Sequence, residues 1–158
     1  MAFHNEFLVP VPEHLILFSF VEHGSLYVHQ NSAMVALASK DLLPQTRVYE
    51  FPFSNVTSTW ICWGENHGSV NLPRNLNSGI DDLVSILWTS NFNNHLAAGK
   101  FPVEINGDQI LDMESLFRQL HGLPEFPVTA LRPVFTGDTG LREILTYADW
   151  LDNHGLIL

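Results

Sequence analysis

The chain has 158 residues, 46% of them apolar and 15% charged. A chain of that length buries about two thirds of its unfolded surface, which excludes both a disordered tail and a small scaffold in need of staples. Seventeen acidic against seven basic residues give a formal net charge of −10, which excludes a protein made to neutralise nucleic-acid phosphates and turns any charged partner toward the basic side.

The N-terminal stretch MAFHNEFLVPVPEH lacks the basic flank and the apolar run of a signal peptide, and no later stretch is apolar for long enough to cross a bilayer. One cysteine cannot close an intrachain disulfide. A single cytoplasmic domain over residues 1–158 is therefore expected. Short β-branched or aromatic runs follow at His14 to Phe20, Leu26 to His29, Ala33 to Leu37, Arg47 to Phe51 and Thr59 to Trp63, separated by Glu22-His23-Gly24, Asn31-Ser32 and the Pro44 segment. They predict an antiparallel meander. From Ser78 the period changes, with Ile80, Leu83, Val84, Leu87 and Trp88 on one helical face, and Ser78 with Asp81 is placed to cap that helix. Phe101 to Leu111 reads as a hairpin around Asn106-Gly107, and Asp112 to His121 as a helix stopped by Gly122. Pro124 to Pro133 is too proline-rich for a helix, and Thr139 to Asn153 carries Leu141, Ile144, Leu145, Ala148 and Leu151 at helical spacing. Strands followed by helices predict an α+β domain with its helices on one side of the sheet.

Chemistry concentrates at FPFSNVTSTWICWGENHG, Phe51 to Gly68, which holds the only thiol. A cysteine is the strongest nucleophile among side chains and forms thioesters readily. Cys62 stands at the end of an aromatic strand and before a polar loop of Gly64, Glu65, Asn66, His67 and Gly68, a position that carries function more often than packing. Strand alternation sets Ile61 and Trp63 on one face, Trp60 and Cys62 on the other. The eight histidines show no His-x-x-x-His pair on a helix and no Cys-x-x-Cys partner, so no metal is expected; without a glycine-rich phosphate loop, no nucleotide cofactor is expected either.

The order of these parts is distinctive. Pro52-Phe53-Ser54-Asn55-Val56 precedes Thr57-Ser58-Thr59-Trp60-Ile61-Cys62, with Asn66 in the loop, an amphipathic helix over Ile80 to His95 and a late Phe126-Pro127-Val128-Thr129-Ala130-Leu131-Arg132-Pro133. The set resembles ubiquitin-conjugating enzymes, and more closely their prokaryotic family, of the type found as protein B of PRTRC plasmid cassettes and in bacterial ubiquitin-like conjugation operons. The resemblance spans about Leu15 to Leu145. Three departures stand out: the family's His-Pro pair is missing, the interval from Asn55 to Cys62 is one residue shorter than is common, and nothing before Leu8 could form an N-terminal helix.

The resemblance implies a ubiquitin-conjugating-enzyme-like fold. It implies that a ThiF-type activating enzyme, using ATP elsewhere, hands a ubiquitin-like protein to Cys62 as a thioester, and that a target amine then receives it, in antiphage defence rather than plasmid maintenance. Neither nucleic acid nor membrane has a part. Aminolysis of a thioester needs an oxyanion donor and a proton acceptor. Asn55 is the candidate for the first, or for bracing the loop, with a turn-forming Asx bond as the alternative. His67, five residues after Cys62, is the candidate for the second, and Asn66 and His95 are secondary members. Two other classes stay open: an inert binding or immunity-type module of the same fold, with Cys62 buried, and a cysteine hydrolase pairing Cys62 with His67 or His95.

Overall fold

A computed structural model describes residues 7–90, 92, 94, 97, 100–136, 141–143 and 145–155. Strands β1 (His14–His23) and β2 (Leu26–Leu37) form a long antiparallel hairpin turned at Gly24, whose φ of 65° suits glycine. β2 is continuous across Asn31-Ser32, where the sequence had pointed to a turn. The polar pair is absorbed by a β-bulge, since Ser19 pairs with Asn31 and Phe20 with His29, leaving Gln30 unmatched.

The far edge of β2 pairs first with β3 (Arg47–Glu50) through Val35 to Leu37, then with β5 (Trp60–Ile61) at Ala33. The short β4 (Val56–Thr57) lies outside β5. The meander therefore holds only for the first three strands, and β5 returns to the middle of the sheet. After α1 (His67–Val70) comes α2 (Leu76–Thr89), capped by Asn75, whose side chain accepts from the Asn77 N–H; Ser78, the expected cap, lies inside the helix. α2 ends at Ser90, short of the expected extent, and His95 and Leu96 lie outside the described residues. The hairpin of β6 (Val103–Ile105) and β7 (Asp108–Ile110) turns at Asn106 and Gly107, both at positive φ, as two-residue hairpin turns require. α3 (Met113–Leu120) is capped by Asp112 through the Ser115 N–H.

The last predicted helix is half strand. β8 (Val134–Thr136) pairs with β9 (Leu141–Glu143), β10 (Leu145–Thr146) joins the edge of β3, and only α4 (Tyr147–Asn153) is helical, started by a capping box between Thr146 and Asp149. Pairing of Leu145 with Val48 outweighs the helical spacing of the leucines. Ile144 and Thr139 lie outside the described residues.

Helices cover both faces of the sheet, a correction to the one-sided expectation. Met34 and Ala36 pack with α2 and α3 through Leu83, Leu87, Leu116 and Leu120, while Ala33, Val35 and Leu37 pack with Trp150 and Leu151 of α4. The cause is visible in Ala33-Met34-Val35-Ala36-Leu37, an unbroken apolar run that has no wet face. At the sheet's end Lys100 Nζ donates to Glu50 Oε1 at 3.1 Å and to the Phe51 carbonyl at 2.7 Å, both side chains buried, which fastens the segment after α2 to β3.

Candidate active site

The site begins as a hairpin. Ser58, at a φ of 55°, and Thr59 link β4 to β5 in the register Thr57 to Trp60 and Val56 to Ile61. The Cys62 N–H continues it by donating to the Asn55 carbonyl at 2.8 Å, so Asn55 and Cys62 stand opposite each other. A bond from Met34 N–H to the Thr59 carbonyl, 2.7 Å, fixes the hairpin to β2. Cys62 is a free, exposed cysteine, whereas Ile61 and Trp63 are buried in the α2-side core and Trp60 is half exposed. That exposure runs against an inert module with a buried thiol.

Asn55 is only 5% exposed, and its Oδ1 is buried with no hydrogen-bond partner among the described residues. No Asx turn forms; the turn is closed instead by the Val56 N–H donating to the Phe53 carbonyl at 3.3 Å. A buried amide end left open costs stability unless something else binds it.

Beyond Cys62, Trp63 leads into a 3₁₀ turn at Gly64–Asn66, with Gly64 at a φ of 51°. Asn66 Nδ2 donates to Ser90 Oγ at 3.2 Å, and that hydroxyl donates to the Ile86 carbonyl at 2.7 Å, so the loop is pinned to the end of α2. His67 is exposed and its ring faces the Asn71 amide, 3.3 Å from Nδ1; no described hydrogen bond joins it to Cys62. The structure thus brings Asn55 to Cys62, gives Asn66 a bracing contact and sets His67 against Asn71. His95 lies outside the described residues.

Sequence reasoning passed over His29, which the Gln30 bulge turns onto the α2 side. There it is 3% exposed, bonded through Nε2 to Ser32 Oγ and set edge-on to the Trp63 ring at 5.7 Å. Burial, the foremost cause, holds its pKa below the usual 6.5, while the Asn71 side chain and the Asn31 backbone pull the other way. Below pH 6.5 the unfolded chain takes up a proton at this position that the folded one refuses, so the stability His29 contributes is present above that pH and is lost as pH falls toward the lower folded value. Urea unfolding at pH 7.5 and 5.5 should therefore show a smaller acid-induced loss in His29→Gln than in wild type. Equal losses would show that His29 is not held neutral.

A family model described as prokaryotic E2 family D matches residues 18–134, and the chain belongs to that family. Membership makes it a conjugating transferase of a ubiquitin-like pathway in general terms. Searches of curated proteins and of solved structures gave no match. Among the described residues no helix is long and apolar enough to cross a membrane.

Proposed function

We propose that Cys62 is the acceptor thiol of a single ubiquitin-conjugating-enzyme-like domain. A ThiF-type activating enzyme presents a ubiquitin-like protein as a thioester, the Cys62 sulfur attacks its carbonyl, and the acyl group moves from one sulfur to the other. A lysine of a target protein then takes it as an amide. The observation that carries this reading is an exposed thiol at a strand end, opposite a buried asparagine. The Nδ2 of Asn55 donates to the carbonyl as charge develops on its oxygen, and His67 orients the incoming amine from the loop. The lack of a described bond between His67 and Cys62 favours transfer over a Cys-His hydrolase, which would pair the two. The proposed setting is the bacterial cytoplasm in defence against phage, from the likeness to conjugation operons.

The test is reconstitution with a ThiF-type activating enzyme and its ubiquitin-like modifier, plus ATP, on non-reducing gels. A band that forms with ATP and vanishes with dithiothreitol is expected, and its absence overturns the reading. Asn55→Ala and His67→Ala should charge to nearly the wild-type extent yet discharge onto free lysine on the order of a hundredfold more slowly. A charging defect in either variant would place it before the thioester instead.

A further inference from the structure

On the sheet face that α4 covers in part, a cleft with about 610 Å³ of free space, counting the solvent at its mouth, opens among β1, β2, β5 and the end of α4. Ala33 floors it, Ser19, Asn31 and Asn153 form a polar rim, and Trp60 and His154 close one wall in contact with each other, ring centroids 5.2 Å apart. Ala33 pairs with Trp60, so continuing that antiparallel register by two residues sets Cys62 on the row of Asn31 and Ser19. Two residues of strand are about 7 Å. By that register the thiol lies beside the Asn31 and Ser19 rim, on the same face as Trp60.

The cleft's chemistry is that of an acceptor. His154 Nδ1 lies 2.8 Å from the Trp150 carbonyl oxygen, which can only accept, so Nδ1 is the donor in that bond and Nε2 is the nitrogen left to act as a base. That Nε2 is buried and has no hydrogen-bond partner among the described residues. The Trp60 indole is half exposed, and its face attracts a cation. Among the described residues no lysine or arginine lines the cleft, and the chain carries a net charge of −10.

We infer that this cleft binds the acceptor's primary amine, with His154 as the base that deprotonates it. The inference deepens the proposed function and rests on it for the acyl group on Cys62. The lysine enters as an ammonium, and the Trp60 ring shifts to admit it and then covers it. One proton passes to His154 Nε2 and on to water. The free amine attacks the thioester carbonyl, the C–N bond forms, the C–S bond breaks with its electron pair leaving on Sγ, and the second proton lost by nitrogen neutralises the thiolate.

Two measurements test it without the activating enzyme. In the first, the wild-type protein is titrated with Nα-acetyl-lysine methylamide and with the norleucine analogue, which lacks the amine. The Trp60 and His154 resonances should shift saturably with the lysine derivative alone. In the second, Cys62 is acylated by exchange with a small acetyl thioester and discharged either by the lysine derivative or by hydroxylamine, a nucleophile largely unprotonated near neutrality. His154→Gln should slow the lysine reaction on the order of a hundredfold and leave the hydroxylamine reaction within about twofold of wild type. Trp60→Phe, which keeps an aromatic face, should retain most of the lysine rate, and Trp60→Ala should not. Shifts that are absent, or equal for norleucine, overturn the cleft. Rates that fall together for both nucleophiles, or not at all, overturn His154 as the base. A wild-type thiol that takes up no acetyl group overturns the reading of Cys62, and the titration then decides the cleft alone.

Discussion

Cys62→Ala is expected to abolish the reductant-sensitive adduct outright, because no other thiol exists in the chain to carry it. Cys62→Ser should give the opposite appearance: an adduct that accumulates and survives dithiothreitol. The difference lies in the leaving group. A thiolate is a weak base and departs readily when an amine or another thiol attacks, whereas the serine alkoxide is a strong base, so an oxyester resists the same nucleophiles. The pair of variants therefore separates chemistry from packing. Cys62 is exposed and its side chain supports no described hydrogen bond, so both replacements should unfold at wild-type denaturant concentrations. Transfer that persists in Cys62→Ala would mean that the sulfur is not the acyl carrier.

Phe53→Ala should lower stability by about 3–5 kcal/mol, the range for emptying a buried aromatic site. Phe53 is 2% exposed, with Phe51, Phe92 and Phe117 around it at centroid distances of 5.3, 5.3 and 5.2 Å. It joins the end of β3 to α3 and to the segment after α2, and its carbonyl closes the turn that carries Asn55. A lower denaturant midpoint at unchanged slope is the expected signature. A loss under about 1 kcal/mol would show that the neighbours collapse into the space.

Features set by neighbouring residues were legible in the sequence. Asn106-Gly107 forms its hairpin turn, a helix follows Asp112, and the alternation that puts Cys62 and Trp60 on the exposed side of β5 while Ile61 and Trp63 turn inward could be read from four consecutive residues. What failed was settled by distant partners. Asn31-Ser32 looks like a turn, yet Ser32 is buried and bonded to His29, and the ladder with β1 runs on through both residues. The spacing of Leu141, Leu145 and Leu151 fits a helix, but β3 offers Leu145 an open edge. Asn75 and Ser78 are both good caps, and nothing local decides between them. Asn55 and Cys62 were singled out from sequence, whereas their opposition comes from the hairpin. His154 gave no signal at all, because the α4 fold-back alone brings it to Trp60.

The bulge at Gln30 acts as a reading-frame shift written in space. A strand spells its two faces with alternate letters, and one unmatched residue re-phases everything before it. Residues from Leu26 to His29 are thus read in one frame and those from Asn31 to Leu37 in the other. Loss of that one residue would erase the bulge and keep every cross-strand pair. Were Gln30 instead to pair with Phe20 in an unbroken ladder, His29 would swing to the opposite side of the sheet and leave Trp63, the residue behind the thiol, without its neighbour, while lengthening at Gly24-Ser25 would leave both frames intact. Length in this chain is therefore negotiable at the hairpin's tip and at the bulge, and fixed along the paired stem.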